Sequence, residues 1–342
     1  MLAIVLVGGF GTRMRPLTYH VPKPMLPVGH DPMIARLVGR LARGGVTDVV
    51  LALGFKPEPF QAAFPDGVCR TVHGDVTMHY AVEPEPLDTG GAIRFAADAY
   101  RADNDLAGPT VVANGDVMTD LDVGALVEAH TASGRDATLH LIAVDDPSAF
   151  GVVDLADDGA INAFVEKPAP GTEPSNLINA GTYVFEPSVF DQIPAGERVS
   201  IERNTFPLLV QQSAIGGVAT DDYWLDAGRP ELYLAANLDL IKGVRAAESA
   251  VAIHPDADVD PEATVVDSLV GPGARVEAGT TVVDTVVLPG AVIGARSQVE
   301  SSIVMGRIGH DATLIEAVIG AEGVVDDGDV VAHSSIPDPD EA

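Results

Sequence analysis

Residues 4–28 read IVLVGGFGTRMRPLTYHVPKPMLPV: an apolar β-type run, a glycine-rich loop with one arginine, then a lysine between two prolines. Gly8, Gly9 and Gly11 carry no side chains, so the backbone there can fold tightly and bring amide N–H groups against an anion. Arg13 follows two residues after Gly11, where a guanidinium can hold a phosphate through two parallel hydrogen bonds. Lys23, between Pro22 and Pro24, reads as a second cation on a stiff, non-helical segment. The loop is not a Walker A motif, because no Gly-Lys-Ser/Thr follows. It fits the dinucleotide fingerprint poorly, because Gly9-Phe10-Gly11 is followed by Thr12-Arg13-Met14 with no third glycine. Two cations and a nest of N–H groups on one anion imply a nucleoside triphosphate.

Composition narrows the setting. A chain of 342 residues, 46% hydrophobic, can bury one large α/β domain and a smaller module. No apolar run approaches the roughly 18 residues that span a bilayer, and MLAIVLV lacks the basic start of a signal peptide, so it reads as a strand. The single Cys69 excludes an intramolecular disulfide, and a cytoplasmic location is the default expectation. A formal charge of −30 argues against nucleic acid or an anionic membrane as partner. Its simplest reading is a solvated surface of the kind that suits high salt. The charge also makes the four lysines, Lys23, Lys56, Lys167 and Lys242, informative by position.

The pattern along the chain alternates strands and helices. Leu2 to Val7 reads as a strand, and Asp31-Pro32 as the cap and first residue of a helix that puts Ile34, Leu37, Val38 and Leu41 on one face. Gly44-Gly45 ends that helix and Val49 to Leu53 is the next strand, a rhythm that predicts a parallel sheet covered by helices. Thr110 to Ala113 is another strand, which sets Asn114-Gly115-Asp116 at its carboxyl end, where open α/β sheets hold ligands. From about residue 250 short apolar residues recur with glycine and proline at a period near six, as in Val276-Glu-Ala-Gly-Thr-Thr and Ile308-Gly-His-Asp-Ala-Thr. Such a repeat builds a parallel β-helix, here of roughly five coils. Ile336 to Ala342 reads as a frayed tail.

Further motifs carry chemistry. Asp116 is a carboxylate at a turn after a buried strand, where it could serve as a Mg²⁺ ligand, although Asn-Gly-Asp alone reads as an ordinary turn. Gly151, in Phe-Gly-Val-Val, could let a ring approach the backbone, and Glu166 and Lys167 of Val-Glu-Lys-Pro could meet hydroxyls and a phosphate, although alone they read as an ordinary surface pair. No histidine forms a metal-ligand spacing with another or with Cys69, and no Gly-x-Ser-x-Gly is present.

Gly-Gly-x-Gly-Thr-Arg, Pro-Leu-Thr and Pro-Lys-Pro-Met-Leu-Pro together resemble the sugar-nucleotide pyrophosphorylases, the nucleotidyltransferases of sugar 1-phosphates; Val7 stands where that family usually has alanine. The resemblance covers about the first 240 residues in the family's order. It implies a Rossmann-like, mostly parallel α/β catalytic domain over 1–245 and a short left-handed hexapeptide β-helix over 250–335. It implies transfer of a nucleotidyl group to a sugar 1-phosphate with release of pyrophosphate. Catalysis would fall to Arg13, Lys23 and Asp116. Nucleotide contacts would come from Leu6, Gly8, Gly9, Gly11, Thr12, Glu83, Thr89 and Gly90, and sugar-phosphate contacts from Gly151, Glu166, Lys167 and Asn179. Asp226, in Trp-Leu-Asp-Ala-Gly, would share Mg²⁺ with Asp116. Ser200-Ile201-Glu202 resembles a family element near the sugar and reads equally well as an ordinary helix start.

Glu83 occupies the position of the family's base-contacting residue. A carboxylate only accepts, and guanine offers two adjacent donors where uracil and thymine offer one. Glu85-Pro-Leu-Asp88-Thr-Gly-Gly also resembles the Glu-Pro-Leu-Gly-Thr run of mannose-1-phosphate guanylyltransferases, with Asp88 replacing the glycine. The expected pair is therefore GTP with mannose 1-phosphate, and glucose 1-phosphate with UTP or dTTP is the alternative. A regulatory subunit that binds a nucleotide sugar without making it is a second alternative, opposed by the presence of Arg13, Lys23, Asp116 and Asp226. An acyltransferase would need a histidine on an inserted loop, and His254 and His310 stand isolated. The repeat is expected to serve homo-oligomerisation and stability.

Overall fold

The computed structural model describes residues 1–9, 11–54 and 57–339, so Phe10, Phe55, Lys56 and the tail from Asp340 lie outside the described residues. The chain falls into two compact units, one of residues 1–9 with 34–224 and one of residues 10–33 with 225–342. This grouping differs from the sequence boundary at 245–250, since it sets residues 10–33 and 225–245 with the repeat.

In the first unit four strands run parallel side by side: Thr110–Asn114, Leu2–Leu6, Asp48–Leu53 and Gly74–Val82. Their register aligns Leu6 with both Ala52 and Asn114, and Leu53 with Val82, so their carboxyl ends finish level. Leu2–Leu6, Asp48–Leu53 and Thr110–Asn114 read as nearly continuous apolar runs because both faces are covered. Ile4, Val50 and Val112 are essentially inaccessible and pack with Ile93, Ala96 and Ala97 of the helix Asp88–Arg101. Each such large side chain contributes about 1.5–3 kcal/mol by burial.

The sheet as a whole is mixed. Leu177–Phe185 runs antiparallel beside Thr110–Asn114 and also pairs with Gly151–Leu155 and Ala137–Ala143. Gly151–Leu155 and Ile161–Glu166 form an outer antiparallel pair. Tyr183 and Phe185 stack at 5.6 Å, and Phe206 meets Tyr183 edge-on at 5.2 Å, which anchors the segment after Ser200 to this half of the sheet.

Two local expectations change. The helix Met33–Arg43 starts one residue later than the cap reading, because Asp31–Pro32 pairs antiparallel with Pro27–Val28. Lys23–Met25 forms a single 3₁₀ turn rather than a non-helical stretch; proline is compatible with a first helical turn, and Pro22 and Pro24 occupy that part of it.

In the second unit the helix Pro230–Ile241 grips the turn at 27–29. The Tyr233 hydroxyl donates to the Pro27 carbonyl, and Asn237 Oδ1 accepts the Gly29 amide at 2.8 Å. The repeat forms three parallel five-stranded sheets, the arrangement of a left-handed β-helix of five coils. Paired strands advance from Asp258 to Arg275 to Val292 by 17 residues, then by 15 to Arg307 and by 17 to Val324. One corner is held by a hydroxyl ladder: Ser268, Thr285 and Ser302 each donate two residues back and accept an amide from the next coil. Ile336, expected to open the frayed tail, instead ends the last strand, paired with Ile319.

Candidate functional site

The level carboxyl ends of the parallel strands leave a cavity of about 330 Å³ in the first unit. Leu6, Gly8 and Gly9 form one wall, Ala52, Gly54 and Glu83 another, and Asn114 and Asp116 a third; Asp88, Thr89 and Ala92 close it from the helix Asp88–Arg101. Gly8 and Gly54 are glycines for a packing reason. A Cβ on Gly8 would lie 3.1 Å from the Gly54 nitrogen, and one on Gly54 would lie 2.7 Å from the Gly8 oxygen. The turn that aims Asp116 is pinned by the Gly115 amide, which donates to Leu6 oxygen at 2.9 Å, and a Cβ there would meet Val7 at 2.7 Å.

Glu83 follows the strand Gly74–Val82 and is 7% exposed. Its Oε2 accepts the Leu87 amide at 2.9 Å, which bends the loop 83–87 back over the carboxylate. Burial pushes the Glu83 carboxyl above its usual range, and the Leu87 bond partly offsets that. Thr89 lines the cavity, yet its hydroxyl donates to Glu202 Oε2 at 2.8 Å and accepts the Ile201 amide at 2.9 Å. The Gly90 amide donates to Val199 oxygen at 2.8 Å, and a Cβ on Gly90 would sit 3.0 Å from that oxygen.

Gly151 and Glu166 face each other across their strand pair. A Cβ on Gly151 would lie 2.4 Å from Phe164 Cζ and 3.0 Å from Glu166 Oε2, so the glycine makes room for that carboxylate. Burial first, and then the charge of Glu202, push the Glu166 carboxyl up, against the pull of Lys167. Lys167 adopts a left-handed φ of 49° and holds its Nζ 3.8 Å from Glu166 Oε1. Asn179 is half-buried: its Oδ1 accepts the Gly181 amide at 3.0 Å and its Nδ2 donates to the Tyr183 hydroxyl at 2.9 Å.

In the second unit Gly11 takes a left-handed φ of 62° and starts the 3₁₀ turn Thr12–Met14. The Thr18 hydroxyl donates to Gly11 oxygen at 2.8 Å, and Lys23 Cβ lies 3.4 Å from where a Gly11 Cβ would be. Thr12 and Arg13 are exposed. Arg13 and Asp226 converge on Gly228: a Cβ there would lie 2.8 Å from Asp226 Oδ1 and 3.3 Å from Arg13 Nη2. Among the described residues no group of three or more His, Cys, Asp or Glu is arranged to hold a metal, and no helix is long and apolar enough to cross a membrane.

Sequence reasoning left Glu202 undecided and gave Asp88 no role. Glu202 is the second residue of a π-type segment, Ile201–Thr205, capped by Ser200, and its tie to Thr89 spans 113 positions. Asp88 was noted as the residue that replaces the glycine of the resembling run, without a role of its own.

A parallel-centred sheet with a glycine-walled, carboxylate-bearing cavity at its strand ends defines a nucleotide-binding α/β protein with a hexapeptide module. Residues 2–243 match the nucleotidyl transferase family and residues 250–341 the GlmU-like C-terminal hexapeptide family. The chain belongs to the nucleotidyl transferase family. The mannose-1-phosphate guanylyltransferase of Mycobacterium tuberculosis is 39% identical over 276 residues, 78% of this chain and 74% of that protein. The mannose-1-phosphate guanyltransferase of Saccharomyces cerevisiae is 38% identical over 240 residues, 70% of this chain and 64% of its own length, so the chain spans just under two thirds of the yeast relative. Among solved structures, HddC from Yersinia pseudotuberculosis is 28% identical with a TM-score of 0.57, covering 69% of this chain and 97% of that one. The same protein complexed with GMP-PN aligns with a TM-score of 0.56 at 27% identity.

Proposed function

We propose that the chain transfers a guanylyl group from GTP to mannose 1-phosphate, giving GDP-mannose and pyrophosphate. The observation that carries this reading is Glu83: a buried carboxylate held by Leu87 on the wall of a cavity at the ends of parallel strands. The guanylyltransferase names of the relatives and the GMP-PN bound to HddC support the same base.

In the reaction a phosphate oxygen of the sugar 1-phosphate attacks the α-phosphorus of GTP. The new O–P bond forms as the bond to the β-phosphate bridging oxygen breaks, and pyrophosphate leaves with the electron pair. The nucleophile is already an anion, so no general base is required, and catalysis consists of positioning and charge neutralisation. Arg13, on the exposed turn after Gly11, holds the departing β- and γ-phosphates. Lys23 offsets charge on the α-phosphoryl oxygens, and such a donor contributes on the order of 3 kcal/mol to the barrier. Glu166 accepts from sugar hydroxyls, and Lys167 meets the sugar phosphate.

The family's divalent cation fits the donor chemistry. Mg²⁺ takes one or two protein carboxylates and completes its shell with water and phosphate oxygens. Asp116 and Asp226 are the carboxylates assigned to it by residue type and motif, and when bound it neutralises phosphate charge.

We further propose a homo-oligomer formed through the β-helix, supported by Val266, Val324 and Val330, which stay 45%, 57% and 72% exposed on that module. The cytoplasm is taken as its place of action. The test is identification by mass spectrometry of the nucleotide sugar formed from GTP and mannose 1-phosphate. A nucleotide sugar bound but not made would favour the regulatory reading.

A further inference from the structure

The backbone that presents Arg13 is locked well beyond its own turn. The Met14 amide donates to Gly11 oxygen at 2.9 Å, the Arg15 amide to Thr12 oxygen at 3.2 Å and the Leu17 amide to Met14 oxygen at 3.0 Å, and the Thr18 hydroxyl returns to Gly11 oxygen. Residues 11–18 are therefore one run of interlocked turns, in which a shift at Pro16 is passed to Arg13. Met14, Pro16 and Leu17 are buried, while Thr12 and Arg13 are exposed.

Pro16 is seated on the β-helix, which belongs to the same unit. A Cβ on Gly320 would lie 2.8 Å from Pro16 Cβ, 3.1 Å from its Cγ and 3.1 Å from its carbonyl oxygen. Two residues further on, Glu322 Oε1 lies 3.1 Å from His20 Nε2. Gly320 has no left-handed φ, so its backbone conformation does not call for glycine. The coil does not call for it either. The register that pairs Val287 with Val304 and Val304 with Ile319 puts Leu288, Met305 and Gly320 at one position of successive coils, each donating its amide to the coil that follows. Leu288 is buried there and Met305 half-buried, whereas at Gly320 the place of the first side-chain carbon is taken by Pro16. Of the described glycines of the repeat, Gly320 is the one whose added Cβ would meet a residue outside the repeat.

We propose that Gly320 is a positioning residue for nucleotidyl transfer: by seating Pro16, this coil of the β-helix holds the run 11–18 in place and aims Arg13 at the departing β- and γ-phosphates. The inference rests on the phosphate role given to Arg13 above, and it gives the hexapeptide module a part in the reaction itself. Misplacing a group that acts on the reacting phosphates by about 1 Å costs on the order of 100-fold in rate.

The test measures pyrophosphate release by the full chain with Mg²⁺. It uses whichever pair the unaltered protein turns over fastest among GTP, UTP, dTTP, ATP and CTP with mannose or glucose 1-phosphate, so a failure of the guanylyl reading alone leaves the test standing. Gly320→Ala pushes on Pro16 and should lower kcat about tenfold or more. KM for the sugar 1-phosphate should not change, since Gly151, Glu166 and Lys167 belong to the other unit. In an Arg13→Ala background the same substitution should have little further effect, because it acts through the guanidinium. Glu322→Ala, at an exposed residue whose loss opens no cavity, should lower kcat about twofold. Thr285→Val, which weakens the coil through its interior hydroxyl ladder, should keep the parental kcat. A parental kcat in both folded Gly320→Ala and Glu322→Ala would overturn the role of Gly320 while leaving the transfer reading intact. So would a fall of equal size in Thr285→Val, or one undiminished in the absence of Arg13. No pyrophosphate release from any pair by the unaltered protein would overturn both.

Discussion

The Thr89 hydroxyl donates to Glu202 Oε2 at 2.8 Å and accepts the Ile201 amide at 2.9 Å, so one side chain ties the start of the helix behind the nucleotide cavity to the segment after Ser200. The Ser200 hydroxyl donates to the same Glu202 oxygen, and the Gly90 and Gly91 amides donate to Val199 oxygen. Thr89→Val keeps the shape and removes both bonds, leaving the Ile201 amide without its acceptor. Stability should fall by about 1–3 kcal/mol, read from urea unfolding. KM should rise for GTP and for the sugar phosphate together, because the two segments are held by one hydroxyl; a rise for GTP alone would contradict that coupling.

Glu83→Gln separates the structural and recognition roles of one carboxylate. The amide oxygen can still accept the Leu87 N–H, so the melting temperature should stay within a few degrees of the parent. The atom turned to the base becomes a donor, and kcat/KM for GTP should fall about tenfold or more. Glu83→Ala should also destabilise the fold, by about 1–3 kcal/mol, because it strands the Leu87 amide.

Lys23→Ala and Asp116→Ala should each lower turnover at least about a hundredfold with an unchanged circular dichroism spectrum. Lys23 lies on a partly exposed 3₁₀ turn, and Asp116 on a turn whose Gly115 amide is bonded to Leu6 oxygen. Near-normal turnover in either variant would remove that residue from the reaction.

His140 makes stability depend on pH. It is buried with Nε2 2.8 Å from the Thr220 hydroxyl, and burial, then the charge of Arg40, push it down from 6.5 to about 4. The folded protein keeps the ring neutral while the unfolded chain takes a proton below pH 6.5. The contribution is therefore full above that pH and is lost as pH falls to about 4, a change of about 3 kcal/mol. Urea midpoints across this range should fall, and His140→Gln should flatten the slope; an equal slope in the variant would assign the effect to other groups.

Thr285→Val tests the hydroxyl ladder of the β-helix. Thr285 is fully buried, donates to Val283 oxygen at 2.8 Å and accepts the Ser302 amide at 3.2 Å. The isosteric change should cost about 1–3 kcal/mol, measured by chemical unfolding, with little effect on nucleotide binding by the first unit.

The parts legible in the sequence were those with a local physical cause. The apolar run ending in Gly8-Gly9 could only be a covered strand leading into a tight loop, and Asn114-Gly115-Asp116 had to follow another such strand; both line the cavity. The repeat announced its β-helix, although its coils of 17 and 15 residues are shorter than a strict period of six would give. What sequence could not show was where side chains direct their hydrogen bonds. Thr89, Gly90 and Asn179 were read as facing ligand by resemblance, and the bonds that each makes within the fold run to partners set by tertiary packing. Asp31-Pro32 looked like a helix start because its propensities are local, whereas its pairing with Pro27–Val28 is set by the turn between them.

The most direct measurement is pyrophosphate release by the purified chain with Mg²⁺, across GTP, UTP, dTTP, ATP and CTP against mannose and glucose 1-phosphates. The account requires activity concentrated on GTP with mannose 1-phosphate. Activity concentrated on UTP or dTTP with glucose 1-phosphate would contradict it, by showing that Glu83 does not select guanine.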